Sequence, residues 1–241
     1  MPSNELKVES LKKTYAKREV VKDISFSLKS GEVVGLLGAN GAGKTTVFYM
    51  TVGFIKPDSG QIFLNGQEVT KLAMHERARL GLGYLPQEAC IFRRLSVAQN
   101  ILAILELKYK SKAKRHSRLD ELLADFEIEH LRDIQGQSLS GGERRRVEIA
   151  RCLATNPSFL LLDEPFAGVD PLVVLDIQRI IRYLAKQKIG ILINDHNVRE
   201  TLEITSRAYL MNKGEIITQG SPKEITANPI AKKYYLGETF T

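Results

Sequence analysis

The stretch "GLLGANGAGKTT", Gly35 to Thr46, decides the reading of this 241-residue chain. It has the spacing G-x-x-x-x-G-K-T, with Gly38, Gly43, Lys44 and Thr45 in the four defining places. An apolar run, "GEVVGLLG", leads into it and "KTTVFYMTVGFI", of helical length, follows. Glycines let a backbone turn its N–H groups inward on phosphate, Lys44 is placed to pair with the β and γ oxygens, and Thr45 can give a hydroxyl to Mg²⁺. The loop as a whole, Gly38, Ala39, Asn40, Gly41, Ala42, Gly43, Lys44, Thr45 and Thr46, is the candidate nucleotide cradle. A nucleoside triphosphate is the expected ligand. GTP is disfavoured, because the nearest guanine-reading pattern is "NKGE" (Asn212 to Glu215), which lacks the aspartate and reads as a hairpin turn.

Working outward, short apolar runs separated by turns cover Leu6 to Leu64 and predict strands: "LKVESL", "VVKDISFSL", "GEVVGLLG" and "GQIFLNG". From about Ser96 to Ala154 the period becomes helical, in "SVAQNILAILEL", "SRLDELLADFEI" and "GGERRRVEIARCLA". Strands return at "FLLLD", "GILIN" and "AYLMN", and a tail starts at Ser221. Uninterrupted apolar strands suit a parallel sheet covered on both faces. The expected class is therefore α/β, with a helical segment inserted in the core.

Chemistry gathers at the strand ends. "FLLLDEP" sets Asp163 to hold Mg²⁺ through water and Glu164 to polarise an attacking water, although an acid before a proline can also be a mere helix cap. His196 follows "GILIN", and Gln87 follows the apolar run in "GYLPQE" as a candidate contact to Mg²⁺ or water. "QSLSGGERRRVEIAR", Gln137 to Arg151, puts two glycines where a helix must nucleate. Read locally, Ser140 and Glu143 form a capping box. Read functionally, Gly141 and Gly142 clear space for phosphate at a helix N-terminus. Both readings can hold together.

Hydrophobic residues are 43% and charged residues 26% of the chain, enough for a sizeable core. No apolar run nears the roughly 20 residues that span a bilayer, and the first ten residues lack the apolar stretch of a signal peptide. Cys90 and Cys152 form no Cys-x-x-Cys pair and are expected reduced and buried, in a cytoplasmic protein. The net charge of +7 calls for an acidic partner: nucleotide, nucleic acid or an anionic membrane face. The densest basic run, "KYKSKAKRHSR" (Lys108 to Arg118), is either a solvated face or a lipid contact; with Tyr109 as its one aromatic it makes a poor base-stacking platform.

Taken in order, "GANGAGKT", Gln87, "LSGGE" (Leu139 to Glu143), "LLLDEP" and His196 resemble the ATP-binding-cassette (ABC) ATPases over nearly the whole chain. The resemblance implies a P-loop NTPase of the ABC type, with an antiparallel β subdomain and an inserted helical subdomain. Its catalytic core would span about 1–88 and 157–220, its helical subdomain about 89–156 and its tail 221–241. ATP and Mg²⁺ are the implied cofactors, with Lys44, Glu164 and His196 catalytic and Thr45, Gln87 and Asp163 around the metal. Tyr15 would stack on adenine, and Ser140, Gly141, Gly142 and Glu143 would face the nucleotide of a second copy in a head-to-tail homodimer. Asp170, ending "AGVD", matches the family loop at the dimer interface; Ala167 replaces its usual serine and Ala39 a common proline. A groove after the Gln87 loop, lined by Phe92 and Arg93, would receive two membrane-spanning permease subunits on the cytoplasmic face of the bacterial inner membrane. Within the family, "YLPQEACIFRRLSV", "DEPFAGVDP", "DHNVRETL" and "YYLGETF" are most similar to ATPase subunits of lipopolysaccharide export. ATPases of branched-chain amino-acid importers share the plan and a "YLGE" ending but usually lack "IFRRL". A cassette acting on ribosomes or DNA is disfavoured, since this chain has one cassette and no sustained heptads, and no nucleic-acid partner is expected.

Overall fold

The computed structural model describes residues 4–237. Two sheets carry the fold. The first is antiparallel, in the order β2-β1-β4-β5, and comprises β1 (Glu5–Tyr15), β2 (Arg18–Lys29), β4 (Ser59–Leu64) and β5 (Gln67–Glu68). The second, in the order β10-β9-β3-β8-β7-β6, comprises β3 (Val33–Gly38), β6 (Leu82–Leu85), β7 (Phe159–Asp163), β8 (Gly190–Asn194), β9 (Arg207–Asn212) and β10 (Glu215–Gly220). Five of its strands are parallel and β10 pairs antiparallel with β9 at one edge. Every residue of β3, β7 and β8 is buried, whereas β1 alternates between buried and exposed positions. That contrast is the one expected of strands covered on two faces and on one.

The parallel sheet divides two cores, and its strands send alternate side chains into each. Leu160, Leu162, Ile191 and Ile193 join the core shared with α3 (Val97–Lys108), α4 (Lys112–Asp125), α5 (Gly141–Leu153) and α6 (Pro171–Lys186). Phe159, Leu161 and Leu192 join the core shared with the antiparallel sheet and α1 (Lys44–Val52). The helix after the phosphate loop is shorter than its apolar sequence suggests. It ends at Val52, because the Gly53 and Phe54 amides both turn back onto the Tyr49 carbonyl and close it. Its C-terminal end receives Arg77, on α2 (Met74–Arg79), a fully buried side chain with no carboxylate partner among the described residues. The guanidinium donates to the carbonyls of Met50, Thr51, Leu72 and Thr70 at 2.7–3.0 Å, so backbone dipoles replace a counter-ion.

The tail docks on its own chain. Ile225, on α8 (Pro222–Ala227), and Ala231 are fully buried against Leu37, Leu202, Ala208 and Leu210, with Tyr235 and Leu236 packed alongside. Leu202 ends the short helix α7 (Val198–Leu202). The part of the tail past Gly237 lies outside the described residues. No described helix is long and apolar enough to cross a membrane.

Candidate functional site

Four neighbouring strands, β3, β8, β7 and β6, deliver four candidate groups at their carboxyl ends: the 38–46 loop, Asn194 to His196, Asp163–Glu164 and Gln87. Parallel α/β sheets bind ligands at such ends.

The loop is a cradle that glycine alone can make. A Cβ on Gly38 would lie 2.3 Å from the Met211 carbonyl oxygen, and one on Gly43 2.7 Å from that of Val20; Gly43 also has φ 101°. Gly43 is the N-cap of α1 and offers no side-chain cap, so the amides of the first turn stay open to an external acceptor. Lys44 folds beneath the loop, its Nζ 2.7 Å from the Gly38 oxygen and 3.2 Å from that of Ala39. Two of its three protons are used, leaving one for a ligand. Burial lowers the Lys44 pKa, against the pull of Glu164, Asp163 and Asp195. Ala39, Asn40, Gly41 and Thr45 are exposed, and Ala42 and Thr46 support them from within.

Asp163 is buried at the end of β7. Asn194 Nδ2 donates to one of its oxygens at 2.6 Å and the Tyr84 hydroxyl lies 3.4 Å from the other. Burial raises the Asp163 pKa, Glu164 adds to the rise, and the hydrogen bonds of Asn194 and Tyr84 with the Lys44 charge oppose it. Asn194 Oδ1 is buried without a partner beside it. A hard cation fits this donor set of carboxylate, amide oxygen and the Thr45 hydroxyl. No cluster of three His, Cys, Asp or Glu side chains stands ready for a metal among the described residues, so Mg²⁺ here would draw most of its ligands from phosphate and water.

Glu164 sits at φ 46°, a left-handed conformation that costs a side-chain-bearing residue about 1–3 kcal/mol. The turn is held by its own amide, 2.6 Å from the Asn194 oxygen, and by Asp195, whose fully buried carboxylate accepts from the amides of Phe166 (2.9 Å) and Asn197 (2.8 Å). Glu164 Oε2 accepts from Gln87 Nε2 at 2.9 Å and lies 3.2 Å from His196 Nδ1. Three strand ends therefore converge on one carboxylate oxygen.

The signature stretch stands apart from the phosphate loop. Ser140 caps α5 in a complete capping box: its amide and hydroxyl donate to Glu143 Oε2 at 2.8 and 2.6 Å, and its hydroxyl accepts from the Glu143 amide at 3.4 Å. These bonds hold the Glu143 carboxyl below its ordinary pKa. Ser140, Gly141, Gly142 and Glu143 share a cavity of about 490 Å³ with Gln87, Glu164 and Ala167 to Asp170. No residue of the 38–46 loop lines it.

The family described as ABC transporter matches residues 21–167. The chain belongs to that family. It is 57% identical to the lipopolysaccharide export system ATP-binding protein LptB of Acidithiobacillus ferridurans and 56% identical to that of Escherichia coli strain K12, each over 98% of both chains. Solved structures with the same fold include the ATP-binding cassette MJ1267 in its ADP conformation (TM-score 0.87, 27% identical, 97% of this chain and 98% of that one). Another is cbiO1 from Clostridium perfringens, part of the transporter complex cbiONQ (TM-score 0.87, 32% identical, 95% and 92%). This ABC protein binds ATP and hydrolyses it in support of transport.

Around the site of this ABC ATPase the remaining candidates spread out. Tyr15 ends β1, 43% exposed, with Lys13 Nζ 5.5 Å from its ring. Asp170 is exposed at the N-cap of α6 and makes no cap bond with its side chain. A groove of about 490 Å³ does follow the Gln87 loop, but its walls are Tyr49, Phe54, Met74, Tyr84, Pro86, Gln87, Glu88, Cys90, Arg151 and Cys152. Phe92 and Arg93 are exposed beyond its lining, and the Phe92 ring instead lies 5.1 Å from the Arg151 guanidinium. The cysteines are free but half-buried rather than buried, because both border this groove.

Three supports escaped the sequence reading. The "NKGE" hairpin is a turn as expected, yet it also braces the phosphate loop, Gly214 donating to the Ala42 carbonyl at 3.0 Å. Asn194 and Asp195 hold the acidic turn; their signal was the polar pair closing an apolar strand. The third support lies in "ERRRVEI". Arg145 is buried, 3.4 Å from Glu148 Oε2 and 3.1 Å from the Pro86 oxygen, while Glu148 accepts from the Cys90 amide at 2.9 Å. The buried pair thereby ties α5 to both sides of the Gln87 loop, which nothing in the local spacing announced.

Proposed function

We propose that this chain is the ATP-hydrolysing subunit of a lipopolysaccharide exporter, working as a homodimer beneath two membrane-spanning permease subunits on the cytoplasmic face of a bacterial inner membrane. The observation that carries the reading is the end-to-end likeness to lipopolysaccharide export ATP-binding proteins.

Lys44 and the open amides of α1 bind and orient the β- and γ-phosphates, and Tyr15 covers the adenine. Thr45, Asp163 and Gln87 would hold Mg²⁺, which when bound would supply positive charge against the phosphates. Glu164 accepts the proton of the attacking water. Gln87 and His196, both on its Oε2, orient the carboxylate. General-base help of this kind accounts for about 10²–10⁴ in rate.

Geometry inside one chain supports the dimer. The Ser140 to Glu143 cavity contains Glu164 and no residue of the phosphate loop, and a Cβ on Gly141 would meet nothing within 4 Å. The open helix end of α5 supports a role for a second copy, whose γ-phosphate would meet Ser140, Gly141 and Gly142 and whose surface would meet Asp170. ATP would then close the dimer and hydrolysis would open it. Driving such an equilibrium from 1:99 to 99:1 takes about 5.5 kcal/mol of differential binding, within reach of a phosphate held from both sides.

Purification from membranes under mild detergent tests the whole. The expected result is copurification of two multi-spanning proteins, with ATP turnover that moves lipopolysaccharide out of the membrane fraction. Amino-acid permeases as partners would shift the assignment to an importer, and recovery with ribosomes or DNA would refute transport.

A further inference from the structure

We propose that the segment from Leu107 to Arg118, at the junction of α3 and α4, is a docking surface for the anionic headgroups of a membrane leaflet. The inference rests on the chain's working beneath a membrane as part of a transporter.

The charge on α4 runs against the helix it sits on. Its first turn holds Lys112, Lys114 and Arg115 and no acid, while Asp120, Glu121 and Asp125 fill the second half and no base occupies the last turn. A helix macrodipole favours the opposite placement at both ends. Local stability therefore does not explain the cations, and an external anion does. The ion pairs of the segment's arginines are Arg115 with Glu106 at 3.7 Å and Arg118 with Glu121 at 2.8 Å. Lys110, Lys112 and Lys114 are exposed and take part in neither.

An apolar anchor lies beside the cations. Leu107, the penultimate residue of α3, is 83% exposed, more than any other large hydrophobic residue described. A leucine in water next to unpaired lysines suits an interface where charge meets headgroups and an alkyl group enters the acyl boundary. The segment also adjoins the groove after the Gln87 loop. Lys108 donates to the Thr155 carbonyl and Asn156 donates to the Tyr109 hydroxyl at 3.2 Å, which pins the junction just past Arg151 and Cys152 of the groove wall. Nucleic acid fits less well, because the only aromatic of the segment is Tyr109, whose hydroxyl is already engaged.

Vesicle sedimentation of the purified protein decides the matter. Wild type is expected to pellet with vesicles of phosphatidylglycerol and phosphatidylethanolamine and not with phosphatidylcholine. The triple variant Lys110→Glu, Lys112→Glu, Lys114→Glu should lose at least tenfold in that binding, and Leu107→Ser several-fold. The triple variant keeps basal ATP turnover and melts no lower than wild type, since it puts acids at the positive end of α4. Equal pelleting of variant and wild type, equal pelleting with phosphatidylcholine, or tighter binding to single-stranded RNA than to the anionic vesicles overturns the proposal. Recovery of the permeases is measured separately, so failure of the transporter reading shows there and leaves the vesicle result intact.

Discussion

Two glycine-rich loops open helices in this molecule, and they use glycine for different reasons. In the loop that begins α1, the surrounding chain leaves no room for a Cβ: carbonyls of Met211 and Val20 crowd Gly38 and Gly43, and the backbone turns through left-handed geometry. In the loop that begins α5, Gly141 faces open space and Gly142 would meet only Val173, at 3.1 Å. The first pair is demanded by the fold of its own chain. In the second, nothing within 4 Å demands Gly141, while Ser140 and Glu143 close the helix start without help from glycine. The homodimer proposed above would fill the open space at Gly141.

Substitutions can break or sharpen this contrast. The largest effect is expected at Glu164, whose carboxylate oxygen is the meeting point of Gln87 and His196. Glu164→Gln should cut steady-state ATP turnover about 10²–10⁴-fold while leaving ATP binding intact, and size-exclusion chromatography with ATP should show a trapped dimer. Turnover at the wild-type rate would remove Glu164 from the proposed role. Next, Gly38→Ala forces a methyl into the Met211 carbonyl, and thermal unfolding should show a loss of about 3 kcal/mol together with lost nucleotide binding.

Gly141→Ala is the opposite case. Its unfolding free energy should stay within about 0.5 kcal/mol of wild type, yet dimer formation on ATP should weaken at least tenfold. A variant that unfolds early, or one that dimerises normally, would erase the distinction between the loops. Ser140→Ala should cost about 1 kcal/mol for the lost cap, in addition to any loss of dimerisation, so the local and intermolecular roles of that hydroxyl separate in melting and dimerisation measured side by side.

The smallest effect is one of pH. The Glu143 carboxyl is held below its ordinary range by Ser140, so the stability it gives is present above the unfolded-state value and lost as pH falls through the lowered folded value. Glu143→Gln keeps a capping side chain without the charge. Its unfolding free energy should therefore fall less than that of wild type as the pH is lowered through the carboxylate range.

Much of the site was legible because its residues are local in sequence. Asp163, Glu164 and His196 each follow an apolar strand, and a parallel sheet brings such ends together. Where the reading failed, the cause was distance along the chain. Arg145 stands in a run of three arginines, and no nearby residue hinted at the Pro86 carbonyl it reaches from another element. The Phe92 ring likewise lies against Arg151, a residue of the groove wall 59 positions on in the chain, a contact that no local spacing announces.

The sequence alone determined the nucleotide loop, the order of the strand-end acids and the capping box of α5, because each depends on residues a few positions apart, whose spacing sets which backbone groups they can reach. Only the tertiary structure decided that Met211 and Gly214 brace the phosphate loop, that Asp195 holds the Glu164 turn and that Arg77 caps α1 from a different helix. Those contacts join segments far apart in the chain, and a buried polar group takes whichever partner the packed sheet brings within hydrogen-bonding distance.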